Sequence, residues 1–251
     1  MTDLLAHLLP DGMAPVTLMF LLGTSLFSSF ITAAFGIGGG GLLLAIMATL
    51  VPTSALIPVH GVIQLGSNAG RMLVFLRGVH WPALGGFAIG SALGCGLGGL
   101  IVVELPAAAV QIGVGLFVIW TVFATAPRWL RGLPWLTGTI SSFLTMFFGA
   151  TGLFVASYTK SFDLPRHAHV ATHAALMTLQ HGLKVLVFGL LGFAFADWWA
   201  FVAGMIGMGL LGTVLGRLSL DWIDERWFRR ALDTLLVLIS LRLILAGLGL
   251  I

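Results

Sequence analysis

The chain has 251 residues, of which 59% are apolar and only 8% charged, with a formal net charge of +3. Soluble domains carry about 25% charged residues, so this composition excludes a water-facing globular surface and leaves no segment for a separate soluble domain. It describes an all-α polytopic membrane protein, with the lipid bilayer as its main partner and no nucleic acid.

Apolar segments run near 14–35, 38–51, 54–76, 81–103 and 106–126, and again near 135–148, 152–162, 168–195, 197–216 and 230–250. The N-terminus, Met1 to Asp11, has no Lys or Arg and so lacks the basic start of a signal peptide. The single Cys95 excludes an intrachain disulfide and sits in a glycine-rich apolar segment, where packing is its expected role. A spanning helix needs about 20 residues. The segments flanking Gly36–Gly41 and Gly149–Gly152 are short or marginal, and each pair reads as a broken hairpin that turns at glycines and returns to the side it came from.

The chain is written twice. A shift of 113 residues lays Ser28-Ser29-Phe30 on Ser141-Ser142-Phe143, Gly39 on Gly152, His60 on His173 and Arg71 on Lys184. The expected organisation is a first transmembrane repeat at 1–126, a cytoplasmic connector at 127–134 and a second repeat at 135–251. Each repeat comprises one broken or re-entrant hairpin plus three transmembrane helices.

The basic residues orient these segments. If each hairpin returns to its own side, Arg77, Arg128, Arg131, Lys160, Arg166, Arg217, Arg226, Arg229 and Arg230 share one face, nine of the twelve Lys and Arg. The opposite face carries only Asp3, Asp11, Glu104 and Asp197. The positive-inside rule makes the basic face cytoplasmic and places both termini outside the cytoplasm. By the same count the two repeats are inverted, and their hairpin turns are expected to meet near the midplane. Irregular backbone at that depth persists only where it is buried or lines a cavity. Trp129, Trp135, Trp198, Trp199, Trp222 and Trp227 flank apolar segments, as an interfacial belt does. Gly86, Gly90, Gly94 and Gly98, echoed by Gly204, Gly212 and Gly216, predict close helix packing.

The candidate chemistry lies on two stripes. His60, Gln64, Ser67, Asn68 and Arg71 share one helical face. His173, Gln180, His181 and Lys184 form the matching stripe, with Met177 in place of the glutamine. Ionisable residues within a membrane mark function by default. Neither stripe contains a carboxylate, and buried cations without counter-ions are costly, so an anionic ligand is the simplest compensation. Arg71 offers a fork that suits oxyanions. The hairpin turns, at Gly38, Gly39 and Gly40 and at Thr151 and Gly152, add backbone donors, and His60 and His173 are placed to carry coupling protons.

Other patterns carry less. Gly36-x-Gly38-x-x-Gly41 lacks the βαβ context of a dinucleotide site. His169 and His173 lie i, i+4 but have no acidic or cysteine partner nearby, so neither a metal nor another cofactor is expected. His167 reads as a helix-start residue. An intramembrane enzyme would need a nucleophile such as Ser67 near His60 with an orienting acid, and none is present; a passive anion channel is the other alternative. No ATP-binding motif is present.

Phe35-Gly36-Ile37-Gly38-Gly39-Gly40, a proline-bounded turn at Pro52 and a polar helix reaching Arg71 resemble the TauE/SafE family of bacterial membrane proteins. The duplicated halves and the length also resemble that family. The resemblance implies transport of sulfite, sulfonates or related organosulfur anions across the inner membrane, often outward. Gly149-Ala150-Thr151-Gly152 departs from the pattern in being less glycine-rich, with a shorter hairpin.

Overall fold

The computed structural model describes residues 10, 13–36, 38–102, 106–124, 130, 132–218 and 225–251, with side chains of the last segment from Arg230 onward. Asp3, Asp11, Ile37, Glu104, Arg128, Trp129, Arg131 and Trp222, and the side chains of Arg226, Trp227 and Arg229, lie outside the described residues, as does half of the 127–134 connector.

Among the described residues there are ten α-helices and no strand: α1 Pro15–Phe35, α2 Gly39–Leu50, α3 Thr53–Val74, α4 Leu84–Val102, α5 Ala107–Phe123, α6 Pro134–Phe148, α7 Gly152–Thr159, α8 Arg166–Leu190, α9 Trp199–Leu218 and α10 Glu225–Gly247. The all-α polytopic expectation therefore holds. Lipid offers no partner for a backbone N–H or C=O, and a helix satisfies both internally. Pro15–Phe35, Trp81–Val102 and Phe195–Leu218 are long and apolar enough to cross a membrane, while Gly39–Leu50 and Ala107–Phe123 are shorter apolar helices. Helices α3 and α8 have 22 and 25 residues, but their polar stripes dilute the apolar signal, and those stripes are turned inward.

Both hairpins form, and glycine is the reason. Gly36 and Gly38 have φ of +83° and +111°, and Gly149 has φ +70°, backbone that L side chains rarely adopt. Gly36 N–H closes α1 on Thr32 O at 2.9 Å, and Gly149 N–H closes α6 on Thr145 O at 3.2 Å, the same bond in repeat-equivalent positions. The arms are unequal: 21 and 12 residues in the first hairpin, 15 and 8 in the second. The end of α1 is anchored by Arg166, which donates to Ala34 O at 2.6 Å. The hairpins lie side by side: a Cβ on Gly41 would sit 3.9 Å from Ala150 Cβ.

Two glycine seams draw helices of opposite halves together. Along α4, Gly90 and Gly94 face the Trp135 and Thr139 carbonyls of α6 so closely that a Cβ has no room, and Gly98 faces Met146. Along α9, Gly212 and Gly216 face the Leu26 and Phe30 carbonyls of α1. Helix α9 is the repeat counterpart of α4, and α1 that of α6. Both pairs run parallel, because their contacts advance together along the chain. Small residues at such interfaces permit backbone approach where lipid removes the hydrophobic drive. The outer face of α4 presents Ile89, Leu93, Leu97 and Leu100 instead.

The remaining counterpart pairs run antiparallel. On α3 and α8, Gly61 meets Lys184 and Leu65 meets Gly182, and just past the end of α3 Gly78 meets Ala168. On α5 and α10, Gly115 meets Ile244 and Gly247 meets Ile112. Trp81, Trp135 and Trp199 are exposed near helix starts, whereas Trp198 packs on the core.

Candidate functional site

Every residue of the α3 stripe is buried, from His60 to Arg71, as is every residue of the α8 stripe from His173 to Lys184. The antiparallel crossing decides which of them meet. His60 stands edge-on to His181, ring centroids 6.2 Å apart. Lys184 lies across from Gly61, where an added Cβ would come within 2.6 Å of its Cε.

The histidines are twins in geometry as in sequence. His60 Nε2 lies 3.2 Å from Gly40 O, and His173 Nε2 lies 3.3 Å from Gly152 O. A carbonyl only accepts, so each Nε2 carries the hydrogen and ties a long helix to the first residues of a hairpin return arm. His60 also touches the second hairpin, since a Cβ on Gly149 would sit 3.2 Å from its Nδ1. One imidazole therefore contacts both turns.

The first stripe forms a directed chain of donors. Arg71 NH1 donates to Asn68 Oδ1 at 2.9 Å, and Asn68 Nδ2 donates to Gln64 Oε1 at 3.1 Å. This leaves the Gln64 amide NH2 between His60 Nε2, at 3.4 Å, and Gly40, where a Cβ would lie 3.2 Å from it. Arg71 NH2 donates to Ser67 Oγ at 3.3 Å, and Ser67 bonds Ser29 of α1 at 2.9 Å. In the second half, Ser141 Oγ donates to Gln180 Oε1 at 2.8 Å and Gln180 Nε2 donates to Thr151 Oγ1 at 2.6 Å. There the network braces the turn rather than presenting a donor.

A cavity of about 410 Å³ lies between the two hairpins. Of the residues expected to bind ligand, Gly38, Gly40, His60, Gln64, Asn68, Gly152, His173 and His181 line it. Gly39, Arg71, Thr151, Gln180 and Lys184 do not. Gly39 is pressed against Ser28 O and Thr32 Oγ1 of α1, where a side chain would collide. Arg71 stands behind Asn68, and its charge reaches the cavity through the amide chain. Lys184 is fully buried, and its Nζ has no hydrogen-bond partner among the described residues.

The cavity also takes residues that the repeat does not single out. Leu232, Asp233 and Leu236 come from α10, and Lys160, exposed at the end of α7, and His169 stand at its rim. Asp233 had a signal in the sequence, as the acid set inside the apolar segment 230–250. His169 faces this cavity with His173, and no group of three or more His, Cys, Asp or Glu suited to a metal occurs among the described residues.

Residues 21–243, nearly the whole chain, match the family described as Sulfite exporter TauE/SafE. The chain belongs to the TauE/SafE family. No curated protein and no solved structure matches it. As a TauE/SafE protein it is a multi-pass membrane transporter and not an enzyme. Ser67 bonds Ser29 Oγ and accepts from Arg71 NH2.

Proposed function

We propose that this TauE/SafE transporter moves a small oxyanion, such as sulfite or an organosulfonate, by secondary transport with alternating access, and holds it in the cavity between the two hairpins. The observation that carries this reading is the direction of the α3 chain. Three side chains pass hydrogen bonds one way, from the Arg71 guanidinium to the Gln64 amide, so the group left facing the cavity is a donor backed by a positive charge. Such a donor suits an anion and repels a cation. Arg71 and Lys184 form no ion pair among the described residues, so a bound anion would be the missing negative charge. The ligand-facing set is Gly38, Gly40, Gln64, Asn68, Gly152 and the three histidines, with Gly39, Thr151, Gln180 and Arg71 bracing it from behind.

The two parallel glycine seams and the two antiparallel counterpart pairs support inverted repeats that rock against each other. On this reading the basic residues face the cytoplasm and both termini lie outside it, in a bacterial inner membrane. His60 and His173, each at the root of one hairpin, are placed to relay coupling protons.

The test is ligand stabilisation of purified protein. A specific ligand at 100 times its Kd adds about 2.7 kcal/mol. Sulfite, methanesulfonate and sulfate are compared with chloride on wild-type protein, Gln64→Leu and Arg128→Ala. An oxyanion raises the melting temperature of wild type and Arg128→Ala but not of Gln64→Leu. Equal stabilisation of all three proteins would place the anion elsewhere.

A further inference from the structure

The Lys184 amine is the deepest unexplained group in the protein. It is fully buried, has no hydrogen-bond partner among the described residues, and lies behind the cavity wall rather than in it. Its place is made by Gly61, where any side chain would displace it. The groups around it are limited. Helix α3 brings His60 and Arg71, α8 itself brings His173 and His181, and α4 brings the neutral Cys95 thiol, bonded to Ser142 O and Gln180 O. Helix α6 has no titratable residue, and the Tyr158 hydroxyl of α7 is engaged with Ala83 O at 3.1 Å. None of these is a carboxylate; the one acid among the described residues that line the cavity, Asp233, comes from α10. Two of them, His60 and His181, line the cavity, keep a buried Nδ1 without a partner, and lie within electrostatic reach of the amine. Lys184 Nζ, His60 Nδ1 and His181 Nδ1 are thus three orphan nitrogens on the facing helices α3 and α8.

We propose that Lys184 is the proton site of this transporter, charged when the anion occupies the cavity and neutral when it is empty. The proposal rests on the anion reading above. An ammonium buried without a counter-ion is costly, and the same amine without its proton is not. An anion on the other side of the His60–His181 wall supplies the counter-charge, so anion binding and protonation stabilise each other. By linkage the effect is reciprocal. The proton comes from water in the cavity by way of the two imidazoles. Each ring accepts it on one nitrogen and gives it up from the other, and the Nζ lone pair holds it. When the anion leaves, the proton returns by the same route. Arg71, the repeat counterpart, stays charged because its guanidinium does not deprotonate in proteins and its charge is spent on Asn68 and Ser67.

The experiment is calorimetric titration of purified full-length protein with methanesulfonate, which does not itself titrate near neutral pH, in two buffers of different ionisation enthalpy. Wild type takes up as much as about one proton per anion bound, and its affinity falls by as much as tenfold per pH unit on the alkaline side. Lys184→Arg, permanently charged, binds the anion with no proton uptake and a flat pH profile. Lys184→Met binds weakly at every pH and also takes up no proton. Uptake that persists in both Lys184 variants overturns the assignment. Absence of binding of both methanesulfonate and sulfite to wild type overturns the anion reading itself, a different result from binding without proton uptake.

Discussion

The second hairpin turn provides a test in which one methyl group carries the whole effect. Gly149 has φ +70°, and a residue held in such backbone costs about 1–3 kcal/mol unless it is glycine. The added Cβ would also meet Leu44 Cδ1 at 3.0 Å and both Leu44 Cδ2 and His60 Nδ1 at 3.2 Å, tighter than ordinary contact. Gly149→Ala is therefore expected to lose about 2 kcal/mol, a factor of roughly 30 in the folded population. At about 2–4 °C per kcal/mol for a chain of this size, the melting temperature drops by roughly 4–8 °C. The loss is local in its functional effect, because the crowded atoms belong to α2 and to the one histidine that touches both turns. The matched control is Gly96→Ala on α4, where nothing lies within 4 Å of the new methyl group. There the helix gains about 0.5–1 kcal/mol from reduced chain entropy. The assay is thermal unfolding in detergent by circular dichroism, with and without sulfite in large excess. Gly149→Ala melts lower and loses the sulfite-induced shift; Gly96→Ala melts at or above wild type and keeps it. A Gly149→Ala protein as stable as wild type with the shift intact would refute the argument, since the turn would then tolerate an L side chain.

Gly90→Leu and Gly212→Leu should each prevent folding or cost more than about 3 kcal/mol, because overpacking against a backbone carbonyl cannot be relieved by a rotamer change; yield of monodisperse protein checks this, and Gly207→Leu, with open space around it, serves as control. Arg71→Met should weaken sulfite binding about tenfold rather than abolish it, because the guanidinium acts through Asn68 and one charged hydrogen bond is worth about 1.5 kcal/mol; complete loss in folded protein would mean direct contact. His60→Gln and His173→Gln keep a donor for Gly40 and Gly152 but cannot relay a proton, and should slow transport into liposomes; wild-type rates in both would leave them a structural role only. A reporter fused after Ile251 should be active outside the cytoplasm, and cytoplasmic activity would sink the orientation.

Much of this protein is legible in the linear order of its residues because membranes impose local rules. Composition alone requires helices, since lipid leaves the backbone no other partner. The breaks at Gly36 and Gly149 could be placed because positive φ selects glycine at a single position, and the repeat marked His60 and His173 as a pair. The glycines of α4 and α9 announced close packing, since an i, i+4 stripe without side chains has little other use in a helix. What they pack against was hidden: α4 meets α6 and α9 meets α1 through contacts about 50 and 180 residues apart in the chain, and no local period encodes such a pairing. The same holds at the site. Arg71 and Lys184 are equivalent in the sequence, but the fold gives one a chain of amides leading into the cavity and the other a dry pocket beside Gly61. Hydrogen-bond direction, and which side of a cavity wall a charge stands on, depend on how α3 and α8 cross. So does the arrival of Asp233 from α10, a residue with no counterpart in the first stripe. Local backbone chemistry thus settles where the helices begin, break and end, while the burial of each charge and the facing of each donor are set only when the two halves are packed together.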